Sequence, residues 1–144
     1  MAGGKGSTFD NDLLLLIFNG TTIAGIADNT ATVPLTSYYM SLHTADPGAG
    51  GGQMTSEALY TGYARQPVAR SSAGFTVSGG SCTLTAAVVF PTATGGSETE
   101  TFCAVGIAST GSGKILYRGP ITPSLSVAAG VAPQLTTGTT ITET

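Results

Sequence analysis

Few residues in this chain have types and spacings that could do chemistry. Glu98 and Glu100 stand two apart, so on a strand they share a face. Carboxyl groups separated by about 5–9 Å hydrolyse glycosides as an acid and a base or nucleophile, and this spacing falls in that range. The simpler expectation is a solvated strand start following the Gly95-Gly96 turn. His43 is the only histidine. A metal site would need further ligands, and a nucleophile–base pair would need an acid to orient the imidazole. Asp46 is near in sequence but beyond the strand end, so a strand-end hydrogen bond is the favoured role for His43.

Gly106 to Lys114 (GIASTGSGK) superficially matches a phosphate loop. That motif needs Gly, four residues, Gly-Lys and then Ser or Thr. Here Ala108 stands where the first Gly belongs and Ile115 where the hydroxyl should coordinate magnesium, so the segment reads as a hairpin turn. The glycines of Asp46–Gly52 lack the strand–helix context of a dinucleotide site. Cys82 and Cys103 make neither a disulfide framework nor a metal site. They read as buried, reduced, small hydrophobes, with a cross-sheet disulfide as the alternative. No catalytic residue, cofactor or metal is expected, and the chain is expected not to be an enzyme.

The elements that must position these residues are mostly strands. In Tyr38–His43, Tyr38, Met40 and Leu42 fall on one face, and Tyr39, Ser41 and His43 on a polar one. Asp46-Pro47-Gly48 stops the strand. A mobile glycine-rich loop to Ser56 is expected next, then one helical turn at Ser56–Tyr60. Tyr63–Arg70 is extended, and Pro67, which has no N–H for a ladder, places it at a sheet edge or bulge. Further strands are expected at Phe75–Val77, Cys82–Phe90, Thr99–Ala108, Lys114–Arg118, Leu125–Val127 and Ala132–Thr142, separated by Gly/Ser turns. Ahead of them, Thr8–Asn19 reads as a short helix with Thr8 or Asp10 as its cap and Gly20 as its stop, or as a buried strand. Asp28-Asn29 is a turn signal. The fold expected is all-β, a jelly roll or β-sandwich with a short N-terminal helix or arm. Residues 1–34 form the arm and apolar segment and residues 35–144 the sandwich, effectively one domain.

Composition narrows the function. The 144 residues include only 9% charged side chains but 41% hydrophobic ones, against roughly 25% charged in ordinary globular domains. A weakly charged surface rich in hydroxyls suits a subunit packed among neighbours. Net charge is −3, and the five basic residues, Lys5, Arg65, Arg70, Lys114 and Arg118, form no cluster. No nucleic-acid partner is therefore expected. The longest apolar run, Leu13–Phe18, has six residues, far from the roughly 20 of a membrane span. It is also short for a signal peptide, with Asp10 and Asp12 where basic residues should be. Synthesis in a cytoplasm without membrane association is expected, and the Asn19-Gly20-Thr21 sequon carries no weight in that setting. Arg65 and Arg70 are read either as ordinary surface pairing with Glu57 or a C-terminal carboxylate, or as contacts to an acidic patch on a protein partner.

SLHTADPG (Ser41–Gly48), SEALYTGYARQPVAR (Ser56–Arg70), FTVSGGSCTLTAAVVFPTATGG (Phe75–Gly96) and AVGIASTGSGKILYRGPI (Ala104–Ile121) resemble a family of small virion proteins of tailed phages. The resemblance spans residues 35–144. It extends to capsid cement (decoration) proteins with a jelly-roll fold, while other members are labelled as tail-fibre proteins. It implies a structural protein of the virion, bound outside the head and stabilising contacts between major capsid protein subunits. The alternative is a tail, baseplate or fibre component, with host-receptor binding as a further role. It also implies self-association, as a homodimer ahead of a trimer. The residues expected to touch partners are Lys5, Phe9, Leu13, Leu16, Ile17, Arg65, Arg70 and Ile141.

Overall fold

In Ser7–Leu14 the chain turns helical (α1) and then widens into a π-helical turn over Leu15–Asn19. Our computed structural model describes residues 7–23 and 35–142. Gly20 ends this helix with φ +67°, and its N–H donates to the Leu15 carbonyl, the left-handed stop that glycine adopts at least cost. The expected cap is displaced. Because the helix begins at Ser7, Thr8 and Asp10 both lie inside it, where the acidic Asp10 still suits the first-turn dipole. Lys5 and the Asp28-Asn29 turn lie outside the described residues.

Among the described residues the fold is all-β apart from this helix, of the sandwich class. Its strands are β1 (Ser37–His43), β2 (Gln66–Ala69), β3 (Phe75–Ser78), β4 (Ser81–Leu84), β5 (Val88–Val89), β6 (Ser97–Gly106), β7 (Ile115–Ala128), β8 (Gln134–Leu135) and β9 (Thr140–Thr142). Among the described residues they form three sheets, ordered β2-β1-β6-β7, β3-β4-β9 and β5-β8. The contacts divide into two compact units. One contains residues 1–36, 69–87 and 136–144, and the other residues 37–68 and 88–135.

In the first unit, the helix buries Leu14 and Phe18, and Phe18 packs on Phe75 of β3 with ring centroids 4.7 Å apart. The Thr-rich C-terminal segment closes the small sheet, with Ile141 opposite Cys82. The strand expected over Cys82–Phe90 is in fact two, β4 and β5, in different sheets.

In the second unit, β1 lies antiparallel to β6, with Met40 opposite Val105 and Leu42 opposite Cys103. Pro67 sits on β2 at the sheet edge, where its missing N–H breaks no ladder. The two strands expected at Lys114–Arg118 and Leu125–Val127 are one, β7, carried through an irregularity. Glu100 pairs with Leu125 and Phe102 with Pro120, so Ile121–Ser124 stand opposite Thr101 alone. Gly111–Gly113 lies in the β6–β7 hairpin connection, as expected. Cys82 and Cys103 are buried free thiols, and burial pushes them up to about 12 and about 11.

Candidate functional site

Of the residues singled out for chemistry, His43, Glu98, Glu100 and Cys103 lie in the second unit and Cys82 in the first. His43 does not lie on a solvated polar face: it is 0% exposed, as is Ser41. The cover is the chain just after β1, which doubles back along it. Thr44 N–H donates to the Ser56 carbonyl and Ala58 N–H to that of Leu42. Ser56–Tyr60 is thus a turn running into extended chain, not a helical turn, because its backbone groups are engaged by the end of β1.

Within this cover, the His43 Nδ1 sits 2.9 Å from the Thr55 carbonyl and Nε2 2.9 Å from Ser41 Oγ. A carbonyl can only accept, so Nδ1 carries the proton and Nε2 accepts from the serine hydroxyl. Burial lowers the imidazole's pKa, because charging it there forfeits hydration. The polarity is that of a nucleophile and its base, but a carbonyl orients the imidazole where a carboxylate would be needed, and both side chains are sealed from solvent.

Beside this pair lies an ion pair. Arg65 is only 7% exposed. Its Nε and Nη2 donate to Glu57 Oε1 and Oε2 at 2.6 and 2.7 Å, and its remaining donors reach the Ala108 and Gly111 carbonyls at 3.0 and 2.8 Å. Tyr63 Oη donates to Glu57 Oε1 and accepts from Leu42 N–H. Glu57 raises the arginine's pKa, and burial raises that of Tyr63. The expected pairing of Arg65 with Glu57 is present, but as a buried tie between the β1 cover and the hairpin loop.

Gln53, which nothing in the sequence marked, is fully buried. Its amide oxygen accepts from Ala108 N–H at 3.0 Å and its amide nitrogen donates to the Tyr39 carbonyl at 3.4 Å. A Cβ on Gly106 or Gly113 would collide with this side chain. The glycine-rich loop, expected to be mobile, is anchored through this residue.

The carboxyl pair departs furthest from expectation. Glu98 Oε1 accepts from the N–H groups of Leu59 and Tyr60 at 2.9 and 2.7 Å. Glu100 is 0% exposed, and neither of its oxygens has a hydrogen-bond partner among the described residues. Burial first, then Glu98, raises its pKa to about 8. The start of β6 is thus solvated at Ser97 and Thr99, as expected, while Glu98 is half-buried and Glu100 sealed. The segment that Glu98 holds presents Leu59 outward at 86% exposure, between the buried Ala58 and Tyr60. Ala58, Leu59 and Tyr60 are all apolar, so no alternation in the sequence marks Leu59 as the outward one.

Of the residues expected to touch partners, Phe9 is exposed, while Leu13, Leu16, Ile17 and Ile141 are half-buried. Arg70 turns to its own helix, its Nη2 and Nε donating to the Leu16 and Ile17 carbonyls at 2.6 and 2.7 Å. That is a cation placed on orphan carbonyls at a helix C-terminus. Leu59, Met54 and Val89 are the most exposed large hydrophobic side chains among the described residues. No cluster of three or more metal-ligating side chains occurs among the described residues, nor does a helix long and apolar enough to cross a membrane.

A family model described as "Podophage GP4 fiber I protein gp80" matches residues 10–143. A search of curated proteins gives no match.

Proposed function

Because the chain belongs to the podophage GP4 fiber I protein gp80 family of phage structural proteins, we propose that it is a subunit of a tailed-phage fibre that acts through protein contacts and transforms no substrate. The family match over residues 10–143 carries this reading, since it spans nearly the whole chain and its description places the family in a fibre. The interior supports it. Ser41 and His43 are sealed and mutually satisfied, and Glu100 is buried where a glycosidase needs a carboxyl open to substrate. The exterior supports it too, with little charge and with apolar side chains such as Leu59 and Met54 held outward. Self-association, as a dimer first, belongs to the same proposal.

The cement reading shares the chemistry and differs in place. Imaging virions that carry a tagged copy of this chain separates them. Label on the fibres is the expected result, label spread over the head surface would transfer the role to capsid cement, and particles without label would remove both.

A further inference from the structure

Glu98 and Glu100 bring two carboxyl groups to one side of β6, and only Glu98 has donors to satisfy it. Its Oε1 takes the N–H groups of both Leu59 and Tyr60. Those residues belong to no strand, and the segment is further tied by Tyr60 Oη on the Pro91 carbonyl at 3.0 Å and by Thr61 pairing with Gly95. Glu100 lies sealed beside this clamp with no donor for either oxygen among the described residues.

An isolated carboxylate in such a place loses its hydration without replacement, whereas a neutral acid costs far less and has a proton to offer. We propose that Glu98 and Glu100 act as a proton-holding pair that latches the Leu59–Tyr60 segment, closed while Glu100 is a neutral acid and loosened when both carboxyls are ionised. The titratable groups acting on Glu100 are Glu98, two residues away on its own strand, and Tyr60 on the segment it faces. Tyr60 is itself raised to about 12, by burial and then by the two glutamates, so it stays neutral through the relevant range. Opposite on β7, Leu125 and Val127 are apolar and supply no counter-charge.

When Glu100 ionises in its sealed site, the neighbouring Glu98 opposes the new charge, and the element free to yield is the segment without a ladder of its own. The direction of the pH dependence follows. A carboxyl that binds its proton more tightly in the folded chain contributes stability in full below its ordinary value of 4.5, and loses it as pH rises to about 8. The latch is therefore tightest in acid, weakens progressively as pH rises through neutrality, and has lost this contribution above about 8.

Carboxyl-carbon NMR of the intact chain, titrated from about pH 4 to about pH 10, tests this without any variant. Glu100 is expected to titrate above neutrality. Hydrogen-exchange protection at the Leu59 and Tyr60 amides, corrected for intrinsic base catalysis, should fall by about tenfold per pH unit on the approach to the Glu100 midpoint and level off above it, the factor that one pKa unit of coupling carries. Glu98→Gln removes the neighbouring charge and should lower the Glu100 midpoint. Glu100→Gln keeps a neutral donor in place and should hold both amides protected throughout. A Glu100 midpoint in the usual carboxylate range overturns the proposal. So does protection at Leu59 and Tyr60 that ignores the Glu100 midpoint, or a midpoint that Glu98→Gln leaves in place.

Discussion

Arg65 grips Glu57 with both edges of its guanidinium, Nε to Oε1 at 2.6 Å and Nη2 to Oε2 at 2.7 Å, in a pair almost closed to solvent. Planar bidentate geometry of this kind is available to arginine and not to lysine. The remaining donors close on the Ala108 and Gly111 carbonyls, so one side chain joins the cover of β1 to the β6–β7 connection.

Removing one member of that pair strands the other. Arg65→Ala is expected to cost about 1–3 kcal/mol, because the largely enclosed Glu57 carboxylate keeps only the Tyr63 hydroxyl as donor. Arg65→Met combined with Glu57→Gln should recover much of the loss. Urea denaturation midpoints of the three proteins check this, and equal losses in the single and double variants would show that the charges are not coupled.

Gly106→Ala should destabilise the fold by about 1–3 kcal/mol through overpacking, because the new methyl group meets the Gln53 amide. Gln53→Ala in the same chain should relieve that clash while leaving the Ala108 amide short of an acceptor. Thermal melts of the single and double variants decide it, the expected sign being a double variant less impaired than additivity predicts.

Phe18→Ala should cost about 3–5 kcal/mol, the range for a fully buried aromatic, since its ring packs against Phe75. Loss of amide protection in Ser7–Asn19 and in β3 is the accompanying signature. A variant as stable as the parent would mean that the helix contributes nothing to holding the β3-β4-β9 sheet.

His43 sets a dependence at the acid end. Its folded pKa is depressed below 6.5 by burial, so the folded chain resists the proton that the unfolded chain accepts. The stability this lends is present in full above about 6.5 and is lost as pH falls through the lowered value. His43→Asn, which keeps an N–H near the Thr55 carbonyl but cannot ionise, should be less stable at neutral pH yet lose less on acidification. Denaturant midpoints measured between neutral and mildly acidic pH test it, and parallel curves for the two proteins would count against the buried imidazole as the cause.

Much of the local structure was legible in the residues themselves. Gly20 marked where the Leu13–Phe18 segment stops, with a helix as one of its two readings, and Pro67 marked an edge or a bulge, of which the structure has the edge. Tyr38, Met40 and Leu42 marked the buried face of β1, and the turns at Gly79-Gly80 and Gly111–Gly113 fell where glycine permits them. Each of these follows from sterics or periodicity acting within a few residues. Short strands spaced by Gly/Ser turns likewise pointed to an all-β fold without help from any distant contact.

Only the tertiary structure decided what covers the second face of a strand. Ser41 and His43 alternate correctly as polar residues, yet Thr55, from a loop that returns over β1, buries them. Arg65 is basic and Glu100 acidic, which locally means surface. Glu57 and two carbonyls draw the first inward, and the fold leaves the second sealed beside the amides that Glu98 has already taken. Burial of a charged or polar side chain depends on partners remote along the chain, and local sequence carries no record of which partners will arrive.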